Sequence, residues 1–581
     1  MMNFLVLLPA ALLILAAVGI VLLRQFRPGV GYAWLAALGA SVAAVAAILA
    51  LRGQAPLQLV VEWWQPFAGY STPPALLLDE RSWPYAFSLA VLAVAFVLTD
   101  AARLESRQSA PADWAVGLVL VGLGLLAVMA GNPITLIVAW TAVDLAEFLI
   151  VIPSSARMRM AVQTVTLFGV RVTATLLVIV AILLARWQST PFDLTPIPVS
   201  LALIMLLAAG LRLGVLPLNI PFTREVYGRR GLGNVMRMVG PASSLVVLGR
   251  MPENAVPPEL QALFLAFSAL AAVYGATMWF FASSEVNGRP YWFIALAALG
   301  IASVTNGRPL SSIAWGLALL LPGSLMFFYS ARRRQFPYVP VLAVISLTGL
   351  PFTPAASGWL GVIHPAAPVY SALFLLAVVF LLWGYLRHLG HPRDELYRME
   401  RWVQTVYPVG LFFLILALWG AMVIGWQGSL SAGVWWASGL AVFLAALGAV
   451  LAFTFRYRFP DEAVFLFGSA AVRVQALTPV DDPLFQPVPG VTSEQHPLAA
   501  AVDTSSPPVQ PWLNRFARRV GNALAAFFRL DWLYRFLLWV YGILQNIVQV
   551  LTLIFEGDGG ILWSLVMLAL LISLIWAGGA P

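Results

Sequence analysis

Four ionisable residues stand inside apolar runs that carry no other charge. Asp144 and Glu147 lie three apart in Ile134 to Ile152, which on a helix puts both carboxylates on one face. Arg171 sits near the middle of Val162 to Leu184. Arg212 ends an apolar segment at Leu211 to Phe222, Leu-Arg-Leu-Gly-Val-Leu-Pro-Leu-Asn-Ile-Pro-Phe, where a charge, a glycine and two prolines replace the expected leucines. Backbone groups freed by Pro217 and Pro221 cannot face lipid unsatisfied, so such a break belongs in a protein interior or beside water. A carboxylate can take up and release a proton, whereas a guanidinium, with a pKa above about 12, keeps its charge. Together they can line an ion path; equally, they can be buried ion pairs that fix how helices pack.

The elements that must hold these residues are membrane helices. The 581 residues are 61% hydrophobic and 10% charged, with a mean hydropathy of +0.88, too little polar surface to cover a soluble globule. The net charge of +8 comes from arginines in short loops, as topology-setting charges do, and does not indicate nucleic-acid binding. The chain has no cysteine, which excludes disulfides and cysteine-held iron–sulfur clusters, and no lysine, so all 33 basic residues are arginine. A P-loop lysine and a lysine proton carrier are therefore absent. His364, His388, His391 and His496 fall in loops or at a span end, which argues against a haem inside the membrane and for a chain without a redox centre of its own.

About sixteen spans are expected, an all-α polytopic membrane protein. They read as Asn3 to Leu23 (a retained helix, not a signal peptide), Tyr32 to Leu51, Tyr85 to Leu98, Ala115 to Ala130, Ile134 to Ile152, Val162 to Leu184, Val199 to Leu216 and Asn234 to Leu248. Then follow Leu260 to Phe281, Tyr291 to Val304, Ser311 to Tyr329, Val339 to Ile363, Val369 to Leu386, Val403 to Ile424, Val434 to Phe455 and Ile561 to Trp576. Arg52 to Trp83 is an external loop, and Gly131-Asn132-Pro133 is a turn. Arginines crowd alternate loops, placing the N-terminus outside a cytoplasmic (inner) membrane and residues 456–511 in the cytoplasm. Trp512 to Phe555 begins as an amphipathic helix suited to lie along the membrane.

A second interruption, Leu350-Pro351-Phe352-Thr353-Pro354, follows the first by five spans. An odd offset reverses direction, and paired broken helices point to inverted repeats with a site at each break. The expected organisation is residues 1–110 as N-terminal helices and external loop, 111–250 and 251–390 as two five-helix repeats, 391–455 as two further spans, 456–511 as linker, and 512–581 as lateral helix and last span. In the second repeat Glu285, Arg289, Arg308, Arg332 to Arg334 and His364 read as loop or span-end residues, leaving no charge mid-membrane.

The chain resembles the antiporter-like membrane subunits of respiratory complex I, shared with Mrp-type antiporters and membrane-bound hydrogenases, over most of Glu62 to Leu386. Leu76 to Phe87 is similar to that family's Leu-x-x-Asp-Gly-x-Ser segment; Gly131-Asn132 with Ala139-Trp140 is similar to its Asn-Leu start and Phe-Trp-Glu-Leu core. Arg212 to Asn219 with Pro221 and Arg250 resembles its Lys-Ser-x-x-x-Pro-Leu-His signature, and Ser346 to Pro351 its Ser-Leu-x-Gly-x-Pro element. The departures fall on the chemistry. Thr141 stands for the family's glutamate, with Asp144 expected one turn later on the same face; Arg212 stands for its lysine; its next-helix histidine falls at about Met236, beside Arg237.

The resemblance implies a membrane subunit that contributes to proton or cation translocation, partnered by other membrane subunits and the lipid bilayer, with no cofactor of its own. Flavin, iron–sulfur clusters and quinone would sit in those partners. Asp144 would be the titrating carboxylate and Arg212 its fixed partner, with Glu147 and Arg171 as secondary members. Two alternatives stand beside it: a degenerate structural paralogue, and a stand-alone transporter whose Arg212 binds an anionic substrate at the break.

Overall fold

The computed structural model describes residues 2–26, 33–62, 73–101, 110–151, 158–221, 230–332, 338–390, 394–395 and 401–458. Its helices are α1 (Leu8–Phe26), α2 (Ala33–Arg52), α3 (Trp83–Ala101), α4 (Ala110–Val128), α5 (Pro133–Val151), α6 (Met158–Trp187), α7 (Val199–Arg212) and α8 (Arg230–Gly249). They continue with α9 (Pro258–Phe281), α10 (Glu285–Thr305), α11 (Ser311–Phe328), α12 (Tyr338–Thr348), α13 (Ala356–Val362), α14 (Pro368–Leu389), α15 (Arg401–Ile424) and α16 (Trp435–Arg458). The protein is an all-α polytopic membrane protein. Among the described residues ten helices have the length and hydropathy to cross a bilayer, and α7, α12 and the apolar part of α16 are shorter. The expected lateral helix, last span and nearly all of the linker lie outside the described residues.

A helix apolar all round belongs in the middle of a bundle, and α3 and α11 are buried at every position. They pack on each other and on α8, itself almost wholly buried. At the rim, α6 turns Val165, Val172, Leu176, Val180 and Leu183 outward at helical spacing, the stripe a lipid-facing helix needs. In the set α4 to α8 the first and last helices pack together, and in the set α9 to α14 they do so again.

The segment expected as a plain external loop contains a hairpin, β1 (Leu57–Val60) antiparallel to β2 (Ala75–Leu78). Backbone bonds stitch β2 to the α4–α5 turn: Leu77 N–H donates to Met129 O at 2.6 Å and Gly131 N–H to Ala75 O at 2.8 Å. Asn132 Nδ2 donates to Pro73 O at 2.6 Å, and Ala75 N–H to Thr135 Oγ1 at 2.8 Å.

Both breaks are present and differ from expectation in detail. The first helix stops at Arg212, short of Leu216, because Gly214 adopts φ +77° and the chain turns back on itself. Gly210 O then accepts from Val215 N–H at 2.9 Å and Leu216 N–H at 3.2 Å, and Gly214 O from Asn219 N–H at 2.9 Å. The expected span Val339 to Ile363 is two helices, α12 and α13, parted at Gly349 (φ +66°), where a Cβ would lie 2.0 Å from Trp359 Nε1.

The helix expected from Tyr291 starts instead at Glu285, capped by Ser284, whose side chain accepts from Asn287 N–H at 3.2 Å. Glu285 and Arg289 are therefore buried residues in the first turns of α10, at the end of the span and not in the loop. Arg230 Nη2 donates to Glu285 Oε1, and Arg289 Nη1 to Gly233 O at 3.3 Å.

Candidate functional site

All four expected site residues meet in one place. α5 presents Asp144 and Glu147, 3% and 4% exposed; α6 brings Arg171, and α7 brings Arg212 as its last helical residue. Arg212 grips Asp144 with both ends of its fork, Nη1 to Oδ2 at 2.5 Å and Nη2 to Oδ1 at 2.8 Å, the bidentate geometry that a lysine cannot make. Arg171 Nη1 is shared, donating to Glu147 Oε2 at 2.6 Å and to Asp144 Oδ1 at 3.3 Å. Two carboxylates thus meet two guanidiniums, and Asp144 is the hub.

Trp140, one turn before Asp144, lies beneath Arg212 with its ring centroid 4.3 Å from the guanidinium carbon. Its Nε1–H donates to Ser243 Oγ at 2.8 Å, and Ser243 Oγ donates to Gly240 O at 2.9 Å, so α8 props the stack from behind. Gly240 of α8 faces the cluster: a Cβ there would sit 3.4 Å from Glu147 Oε1, an ordinary contact distance. Beside the cluster is a cavity of about 40 Å³ lined by Asp144, Glu147, Arg171, Thr164, Pro221 and Arg237 among others.

Sequence reasoning missed Ser243 and the carbonyl of Gly240, which hold the Trp140 indole from behind. Arg237, and not Met236, reaches the cavity. Thr141 is exposed, in line with Leu145 and Leu149, while Trp140, Val143, Asp144 and Glu147 face inward. Thr141 and Asp144 are thus not on one functional face: 60° of helical rotation carries Thr141 across the bundle boundary.

Arg250, matched above to the family's signature, is engaged elsewhere. Fully buried beyond the end of α8, it donates through Nη1 to Ala130 O and through Nη2 to Asp79 Oδ1 at 3.3 Å. Burial alone would push the Asp79 carboxyl up, but the Arg250 guanidinium and hydrogen bonds from Ser82 outweigh it and hold the carboxyl below its ordinary range. Among the described residues no group of three His, Asp or Glu is placed to hold a metal ion.

No family model and no curated protein matches the sequence. Solved structures do match the fold. A chain of the Mrp complex from Dietzia sp. DQ12-45-1b superposes with a TM-score of 0.64 at 17% identity, over 82% of this chain and 60% of that one. A chain of the membrane-bound sulfane sulfur reductase, an archaeal respiratory membrane complex, gives 0.60 at 13% identity over 98% and 99%. A chain of respiratory complex I from Thermus thermophilus gives 0.54 at 18% identity over 76% and 99%. The chain is a membrane protein with the fold found in chains of these three multi-subunit complexes. It spans 60% of the length of the Mrp chain.

Proposed function

We propose that this chain is an antiporter-like integral membrane subunit of a complex I-type or related ion-translocating assembly, contributing to proton or cation translocation driven by redox chemistry in other subunits. Flavin, iron–sulfur clusters and quinone belong to those partners; this chain has no cysteine to hold a cluster. The observation that carries the reading is the buried ion-pair cluster of Asp144, Glu147, Arg171 and Arg212 beside a cavity at a helix break, within a fold shared with chains of such assemblies. Charges this costly to bury, facing a space that accommodates water, suit an ion path. The arrangement of arginine-rich loops supports an N-terminus outside and residues 456–511 inside, with inverted repeats over 111–250 and 251–390.

The guanidinium of Arg212 does not release its proton, so it acts as fixed charge. The test is ion translocation by the assembly in membrane vesicles, with assembly verified on a native gel. Asp144→Asn and Arg212→Met should each abolish most of it; unchanged translocation in both variants defeats the reading.

One observation favours a structural paralogue instead: helices α11 to α13 contain no Asp, Glu, Arg or His at all. That reading expects the same variants to weaken assembly and leave translocation per assembled complex intact. The stand-alone anion transporter is disfavoured, because Arg212 is already gripped by Asp144 and an anion would have to displace it.

A further inference from the structure

The two carboxylates of the cluster are not equivalent. Each oxygen of Asp144 receives Arg212, and Oδ1 also receives Arg171. Glu147 is held on one side only: Oε2 takes Arg171, while Oε1 is buried with no hydrogen-bond partner among the described residues. A desolvated carboxylate oxygen without a donor is costly unless something visits it. Glu147 lines the cavity, whose volume of about 40 Å³ holds roughly three or four waters at about 10–15 Å³ each. The other charged groups around it are Asp144 on its own helix, Arg171 from α6 and Arg237 from α8, which lines the same cavity; Arg212 from α7 reaches it only through Asp144.

Resting on the ion-path reading above, we propose that Glu147 Oε1, rather than Asp144, takes up and releases the proton, and that Arg171 passes the resulting change of charge to the Asp144–Arg212 pair. Uptake forms an O–H bond on Oε1 as a hydronium ion in the cavity gives up its proton and becomes water; release reverses this. Both arginines stay protonated throughout. Once Glu147 is neutral, its bond to Arg171 is no longer an ion pair and weakens, and Asp144 becomes the nearest anion to both guanidiniums. Arg171 and Arg212 already share Oδ1, so drawing one closer loosens the other. Arg212 is the last residue of α7, and a proton arriving on α5 is thereby felt at the helix break without any proton crossing an arginine.

The experiment is infrared difference spectroscopy of the purified full-length protein in lipid nanodiscs during a pH titration, following the C=O stretch of a protonated carboxylic acid and its shift in heavy water. The parent should show a titrating band that disappears in Glu147→Gln, moves in frequency in Glu147→Asp and survives in Asp144→Asn. A parent without such a band, a band that survives in Glu147→Gln, or a band lost in Asp144→Asn while both Glu147 variants retain the parent spectrum overturns the assignment. For the relay, Arg212→Met should shift the midpoint of the Glu147 band, and shift it less when Arg171→Gln is also present; equal shifts overturn transmission through Arg171. Translocation by the assembly separates the two ideas. A lost band with unchanged translocation in Glu147→Gln, Asp144→Asn and Arg212→Met sinks the ion-path reading and leaves the exchange site standing. A persistent band in Glu147→Gln, with translocation abolished by Asp144→Asn and Arg212→Met, does the reverse.

Discussion

The set α4 to α8 and the set α9 to α14 each contain an interrupted helix, and they satisfy it with different chemistry. At the first break the loop closes on itself, Val215 and Leu216 donating to Gly210 O, while Arg212 points away to the Asp144 carboxylate of α5. At the second break indoles serve as donors. Trp359 Nε1–H reaches Thr348 O at 3.3 Å, Trp315 Nε1–H reaches Gly358 O at 3.0 Å, and Trp419 of α15 donates to Ser346 Oγ at 2.9 Å. The rings of Trp315 and Trp359 meet edge to face, 6.0 Å apart. Neither break depends on an ionic group for its backbone bonds. The four charges of the cluster are therefore not required to interrupt the helix, and their cost must be set against something other than backbone satisfaction.

The largest test of that contrast is to strip the hub. Asp144→Ala leaves Arg212 buried without its carboxylate and should cost about 3–5 kcal/mol, read as thermal unfolding in detergent micelles. The double variant Asp144→Leu with Arg212→Leu should recover most of the loss, because two apolar side chains replace a paired but desolvated couple. A single variant that melts with the parent would mean the pair is not buried as drawn. Next in size are the glycines of the two breaks. Gly214→Ala and Gly349→Ala each force a Cβ into a left-handed backbone and into a neighbour, Asn219 O at 2.5 Å or Trp359 Nε1 at 2.0 Å. Each should destabilise by more than about 1 kcal/mol, and a tolerated alanine at either would show that break to be looser than its partner.

Much of this was legible in the sequence, for a physical reason. A charge inside an apolar run is expensive enough to announce itself, so Asp144, Glu147, Arg171 and Arg212 stood out before any partner was known. Proline and glycine likewise located both breaks. Pairing was not legible: nothing in the spacing says that Arg212 takes both oxygens of Asp144 or rests on Trp140. The start of α10 was missed because the apolar run begins only at Tyr291, although Ser284 carries the capping signal. Thr141 was misplaced because a match in the motif's position says nothing about which way a side chain faces.

Outside the spans, the joint between Asp79 and Arg250 ties the hairpin's end to the residue after α8. The folded protein holds the Asp79 carboxyl below its unfolded value, so the stabilisation is present above that value and is lost as pH falls through the lower, folded one. Asp79→Asn should therefore melt lower than the parent by roughly 1–3 kcal/mol at pH 6 to 8, and the gap should close on acidification below about pH 4. A gap that stays constant down to acid would assign the loss to packing instead of charge.

The smallest effect is the most discriminating, because one substitution should change sign between the halves. Ser243 and Ser324 are both buried serines, in α8 and in α11. Ser243 accepts from Trp140 Nε1 and donates to Gly240 O, so Ser243→Ala orphans the indole N–H under Arg212 and should cost about 1–2 kcal/mol. Ser324 Oγ is buried with no hydrogen-bond partner among the described residues, so Ser324→Ala removes a desolvated hydroxyl and should be neutral or stabilise by up to about 1 kcal/mol. Denaturant titration of the two variants side by side reads the difference. Equal destabilisation would mean that Ser324 also makes a working polar contact, and that the second set is less inert than its lack of charge implies.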